Sequence, residues 1–146
     1  MPLLNYTTQI EASKTVGQIH GILVAHGARS ILTNYDTQGQ IESLSFEVAT
    51  PHGVARIQLP IDPEAILRVM MRSDSRVPRH LVNRVQATRI AWRIVKNWVE
   101  AQMAILETEM VKMEKIFIPY IQTQDGQTLF EVFESRKMLS EGTKDE

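Results

Sequence analysis

The sequence predicts an α+β fold: a small antiparallel sheet of three to four strands, helices on one face, and a long helix in the C-terminal half that mediates oligomerisation. Three observations point there. Residues 41–49 (IESLSFEVA) bring Ile41, Leu44, Phe46 and Val48 to the apolar positions of an alternating run, the pattern of a half-buried antiparallel strand. Asp62-Pro63-Glu64 is a helix start, with an N-cap, a proline at the first position and an acid in the first turn. Residues 81–116 contain no glycine or proline and read as one helix. With 146 residues the chain fits one domain, placed at 1–120, followed by a short hairpin and frayed charged tail at 121–146. A chain of this size buries about two-thirds of its unfolded surface, enough for a self-sufficient core.

The elements follow in order. Residues 3–10 are β-prone and read as a short strand or extended lead-in. A helix over 13–26 has Ser13 as N-cap, Val16, Ile19 and Leu23 at helical spacing, and Gly27 at the left-handed position beyond its end. Gly17 and Gly21 share one face of it; close packing on the sheet is the expected use, and admission of a ligand or partner backbone the alternative. Strands follow at 29–35, 41–49 and 54–59, joined by turns at Asp36-Thr37-Gln38-Gly39 and Pro51-His52-Gly53. The helix that starts at Asp62 reaches about Arg72, and 73–79 is a polar break. The helix over 81–116 extends roughly 54 Å. Pro119 and Asp125-Gly126 bracket a hairpin of 117–122 with 128–133, and the chain frays from Ser135.

The long helix carries two apolar stripes. Leu81, Val85, Trp92, Val95, Val99, Leu106, Met110 and Met113 form one; Ile90, Ile94, Trp98, Ala101 and Ile105 form the other. Together they cover more than half the circumference, whereas a surface helix needs an arc of only about 100°. The helix is therefore expected to be buried by its own sheet on one side and by a second copy of the chain on the other. The polar strip is segregated by sign: Arg89, Arg93 and Lys96 in the first half, Glu100, Glu107 and Glu114 in the second. Two helices laid antiparallel would match basic half to acidic half. Trp92, Trp98, Ile105, Glu100 and Glu107 are the expected interface.

Charge clusters sharply. Residues 68–96 hold Arg68, Arg72, Arg76, Arg79, Arg84, Arg89, Arg93 and Lys96 against Asp74 alone. That is a net of +7 in a chain of net charge −1, leaving −8 for the rest. Arginine suits bidentate phosphate contact, so Arg76, Arg79, Arg84, Arg89 and Arg93 are the candidate ligand-binding residues. Pairing with the acidic strip of a neighbouring subunit explains them equally well. Trp92 and Trp98 suit base stacking but sit in the apolar stripes, where core packing is the better account.

Chemistry of other kinds has little to stand on. The chain has no cysteine, which excludes disulfides, thiol catalysis and cysteine-ligated metals. His20, His26, His52 and His80 lack metal-ligand spacing, and no nucleophile elbow or glycine-rich phosphate loop is present. No catalytic residue, metal or cofactor is assigned, and enzyme activity is disfavoured. No apolar run approaches the roughly 18 residues of a membrane span and no leader opens the chain, so a soluble cytoplasmic protein without a membrane partner is expected.

The segments LLNYTTQIEASKTVGQI (3–19), LVAHGARSIL (23–32), TPHG (50–53), VPR (77–79), QATRIAWRIVKNWVEAQMAI (86–105) and IFIPY (116–120) resemble a family of small proteins recurrent in bacteriophages and prophages. The resemblance covers roughly residues 3–120. It implies a phage-type setting in a bacterial cytoplasm and an accessory role, and it transfers no catalytic residue. The order helix–strand–strand–strand–helix also resembles double-stranded RNA-binding domains, but those place basic residues where this chain has Asp62-Pro63-Glu64. The expected function is therefore a non-enzymatic phage accessory protein that binds an anionic nucleotide, in its concrete form a sponge for a host immune signalling nucleotide. The alternatives are a nucleic-acid-binding accessory of phage replication or recombination, and a protein inhibitor of a host enzyme.

Overall fold

The computed structural model describes residues 3–136. Among these, the chain runs α1 (Ala12–Ala25), β1 (Ser30–Tyr35), β2 (Ile41–Thr50), β3 (Gly53–Gln58), α2 (Pro63–Met70), α3 (Arg84–Glu107), α4 (Met113–Phe117) and α5 (Leu129–Arg136). Short 3-10 turns lie at Arg79–Leu81 and Ile118–Tyr120. The strands form one antiparallel sheet in the order β1-β2-β3. The fold class is α+β, with the helices on one sheet face. The expected charged tail beyond Arg136 lies outside the described residues.

The sheet shows how an imperfect alternation is accommodated. Leu44, Phe46 and Val48 point into the core, opposite Leu59, Ile57 and Ala55 of the next strand. Ile41 is out of phase with them, yet it packs on the same core. The register explains it: Asn34 pairs with Ser43 but Tyr35 with Ile41, so Glu42 is an extra residue. That bulge turns Ile41 to the core side. The opposite face is open to solvent and carries a row of hydrogen bonds in which the Ser30 hydroxyl and the Arg56 guanidinium both donate to the Glu47 carboxylate.

Helix α1 ends as its glycine predicts. Gly27 has φ 97°, and the N–H groups of Gly27 and Ala28 donate to Val24 and Leu23, a Schellman ending. Asp62 caps α2 through the Ala65 N–H, and Asn83 caps α3 through the Gln86 N–H. The close packing expected of Gly17 and Gly21 is not observed. Both lie on the exposed face of α1, opposite Val16, Ile19 and Leu23, with no neighbour within 4 Å of a Cβ at either position.

Helix α3 corrects the expected span of 81–116. It starts after Asn83 and stops at Glu107 without glycine or proline. The stop is local: the Thr108 hydroxyl donates to the Ile105 carbonyl, and Glu109 takes φ 60°. The expected two-sided burial is present, but one chain supplies both sides. Trp92, Val95, Val99 and Met103 join α1, the sheet and Phe117 in the main core. Ile90 and Ala87 join Met70 of α2 in a second cluster, with Ile94, Leu3 and Tyr6 packed against it. The stripes therefore do not require a second copy.

Two further expectations fail for identifiable reasons. Residues 3–10 are not a strand; they fold as tight turns over the second cluster, anchored by the buried Gln86 amide, which donates to the Tyr6 and Thr8 carbonyls. The hairpin of 117–122 with 128–133 reduces to one isolated bridge, Gln122 with Thr128, around a turn with Gly126 at φ 88°. Thr128 then starts α5 through a capping box. Its hydroxyl accepts from the Glu131 N–H while the Glu131 carboxylate accepts from the Thr128 N–H.

Because the two α1 glycines face open space in helical backbone, Gly17→Ala and Gly21→Ala should each stabilise the protein by about 0.5–1 kcal/mol. Denaturant unfolding measures this. A loss of stability would mean that these positions contact another backbone.

Candidate functional site

The arginine segment does not converge. Arg84 pairs with Glu64, Arg89 with Glu11, and Arg93 donates to the Gln18 and Thr15 side chains. These three bind α3 to α2, to the N-terminal cap of α1 and to α1 itself. Lys96 pairs with Glu100 one turn on. Arg76 and Arg79 are exposed in and beside the loop after α2, and no salt bridge ties them among the described residues. The candidate ligand residues thus separate into three structural arginines and two free ones. The first-turn donors of α3 are also partly consumed, since the Asn83 side chain takes the Gln86 N–H at 2.8 Å.

The candidate interface residues separate likewise. Trp92 is fully enclosed by its own chain, so it cannot touch a partner or stack on a base, and its indole Nε1 has no hydrogen-bond partner among the described residues. Trp98 is half-buried and meets Phe117 and Tyr120 edge to face, at ring-centroid distances of 5.7 and 5.5 Å. Ile105 is half-buried; Glu100 and Glu107 are exposed.

A concavity lies elsewhere, between β3 and the segment 110–118. It is a groove of about 780 Å³. The β-turn residues His52 and Gly53, the strand residues Val54 to Arg56, and Lys112 and Lys115 beside and on α4 line it. Val111, Ile118 and Ile121 supply an apolar floor. Lys112 and Lys115 are exposed and, among the described residues, in no salt bridge. Glu114 is the one carboxylate in the lining. An adjoining cavity of about 320 Å³ shares Val54, Arg56 and Gln122 and opens toward Glu47. Apolar residues beside charged ones, in a volume within the range of small-molecule sites, suit the binding of a small charged ligand.

Local interactions hold the groove's walls. Ile121 bridges Ile57, and the Gln122 N–H donates to the Arg56 carbonyl at 2.8 Å, which fastens the chain after α4 to the edge of β3. The Arg56 guanidinium is turned to the open sheet face by two bonds to Glu47. The Ser30 hydroxyl and then Arg56 hold the Glu47 carboxyl below the usual carboxylate range. The cations facing the groove are accordingly the two lysines, with His52 beside them.

Sequence reasoning missed this site because it placed 110–116 inside a continuous helix. Lys112 and Lys115 lie outside the arginine-rich segment, and His52, read only as part of a turn, is 60 residues from Lys112. Among the described residues no three histidine, aspartate or glutamate side chains converge as metal ligands. Comparison with protein-family models, with curated proteins and with solved structures found no match.

Glu107, expected at an interface, accepts from His26 of its own chain at 3.0 Å, while the other ring nitrogen of His26 contacts the Ile22 carbonyl at 2.8 Å. Both ring nitrogens thus face acceptors, which favours the imidazolium. The carbonyl of Ile22, and then Glu107, raise the His26 pKa above its ordinary 6.5. A raised histidine pKa stabilises the fold fully below the unfolded value and loses that contribution as pH rises through the folded one. His26→Ala should therefore lower Tm more at pH 5.5 than at pH 8.5; an equal drop at both would contradict the ion pair.

Proposed function

We propose that the protein is a phage-type, non-enzymatic accessory protein that binds an anionic nucleotide ligand in the groove between β3 and α4, and that its concrete role is to sequester a host immune signalling nucleotide in the bacterial cytoplasm. One observation carries the binding site: two exposed lysines, Lys112 and Lys115, stand over an apolar floor in a groove of about 780 Å³. The lysines suit phosphate as mobile point charges, and the floor suits a base or sugar. The phage setting rests on the resemblance of residues 3–120 described above. Relative to the sequence expectation, the ligand class is retained and the site moves from the arginines to the groove.

The nucleic-acid reading has its own support. Arg68, Arg72, Arg76 and Arg79 are exposed and, among the described residues, form no salt bridge. Salt dependence separates the readings. A discrete groove neutralises few phosphates, so affinity falls mildly with salt. A nucleic-acid track loses affinity with a log–log slope of about −0.9 per phosphate on duplex DNA. Titration of cyclic and ADP-ribose-type nucleotides and of labelled duplex DNA, at two salt concentrations, should show nucleotide binding with the mild dependence. Lys112→Ala with Lys115→Ala should weaken it by about tenfold or more, the scale of one to two charged hydrogen bonds, and Arg76→Ala with Arg79→Ala should not. Salt-steep DNA binding that requires Arg76 and Arg79, with no response to any nucleotide, would overturn the proposal.

Self-association belongs to the same proposal on a new basis. Leu32 and Tyr35 are exposed on β1, an edge strand whose outer side has no strand partner among the described residues. Open edges of this kind pair readily. Light scattering at micromolar concentration should give the mass of two chains; the mass of one chain would contradict it.

A further inference from the structure

The edge of β3 inside the groove offers hydrogen-bonding groups that the fold leaves unused. The Leu59 N–H donates to the Leu44 carbonyl, so these two residues form a hydrogen-bonded pair of the β2–β3 ladder. The register then alternates, directing the backbone groups of Ile57, Ala55 and Gly53 to β2 and those of Val54 and Arg56 outward. The Gln122 N–H on the Arg56 carbonyl confirms this phase, because that carbonyl points away from the sheet. Past that bond, three outward groups line the groove: the Val54 N–H, the Val54 carbonyl and the Arg56 N–H. No backbone partner takes them among the described residues.

The Val54 carbonyl and the Arg56 N–H are an acceptor and a donor side by side on an extended strand. A planar heterocycle with adjacent donor and acceptor atoms on one edge matches them with two hydrogen bonds. An extended peptide is the other occupant of strand edges, but it needs a run of free groups. Here the turn at His52-Gly53 closes one end, and the Gln122 bond closes the other. The free length fits one ring and is shorter than a paired strand.

We propose that the open edge of β3 at Val54 and Arg56 reads the base of the bound nucleotide through its Watson–Crick edge, while Lys112 and Lys115 hold the phosphate. This rests on the nucleotide-binding reading of the groove. Each of the four common bases carries neighbouring donor and acceptor atoms on that edge, so the contact selects for an unblocked base rather than for one base identity. Ile118 and Ile121 line the groove beside this edge and offer apolar contact to the ring of the base.

The test uses adenosine and uridine 5′-phosphates, their edge-blocked but uncharged analogues N6,N6-dimethyladenosine and N3-methyluridine 5′-phosphates, and ribose 5-phosphate, titrated against the full-length protein by calorimetry. The parent nucleotides should bind at least tenfold more tightly than the blocked analogues and than ribose 5-phosphate. Arg56→Ala, which keeps the backbone N–H, should preserve that preference. Arg56→Pro, which removes an N–H that makes no ladder bond, should erase it. Equal affinity of the wild-type protein for parent and blocked nucleotides would overturn base reading and leave phosphate binding in the groove intact. Failure of every phosphate-bearing probe to bind would instead overturn the nucleotide reading itself, and base reading with it. The analogue comparison needs no variant, so it decides the matter even if Arg56→Pro does not fold.

Discussion

Phe117 is the contact on which the groove between β3 and α4 depends. It is fully buried and stands edge to face against Phe46 of the sheet and Trp98 of α3, at 5.8 and 5.7 Å. Such pairs add about 0.5–1.5 kcal/mol each beyond the area they bury. Helix α4 has five residues, too few to be stable alone. Phe117 gives it a fixed seat in the core. From that seat the chain runs through Tyr120 to the bridge between Ile121 and Ile57. The groove is the space left between this pinned segment and the first residues of β3.

The charges then sort by task. The arginine-rich segment looks like a polyanion site when read along the chain, but in the fold Arg84, Arg89 and Arg93 spend their donors holding α3 to its neighbours. Exposed pairs of this type contribute little stability each; their effect is to fix how α1, α2 and α3 lie together. The lysines that remain at the groove have no such duty among the described residues. A mobile cation over an apolar floor is available to a ligand in a way that a paired guanidinium is not.

Much of the fold was legible. The three strands, the Gly27 ending of α1 and the Asp62-Pro63 start of α2 each announce themselves through local chemistry that tertiary packing does not override. The two stripes of α3 were also legible, but what covers them was not. Ile90 and Ile94 find Met70, Leu3 and Tyr6 in their own chain, a long-range fact that periodicity does not contain. The end of α3 was missed because Thr108 and Glu109 stop the helix without glycine or proline. The start of α5 was missed although Thr128 and Glu131 carry a capping-box spacing in plain sight, since the nearby Asp125-Gly126 turn suggested a hairpin. The groove was illegible for a compound reason: it needs the helix stop at Thr108, the seating of Phe117 and the phase of the β3 ladder, three facts from separate parts of the chain.

The central claim is that a nucleotide occupies the β3–α4 groove rather than the arginine-rich surface. Amide chemical-shift mapping of isotopically labelled protein tests it most directly, with cyclic and ADP-ribose-type nucleotides added in turn. The account predicts that at least one of them shifts the amides of Val54, Ala55 and Arg56 together with those of Val111 to Lys115, and leaves Arg76, Arg79 and the α3 arginines unmoved. Shifts centred on residues 76–93, or a spectrum unchanged by every nucleotide, would contradict it.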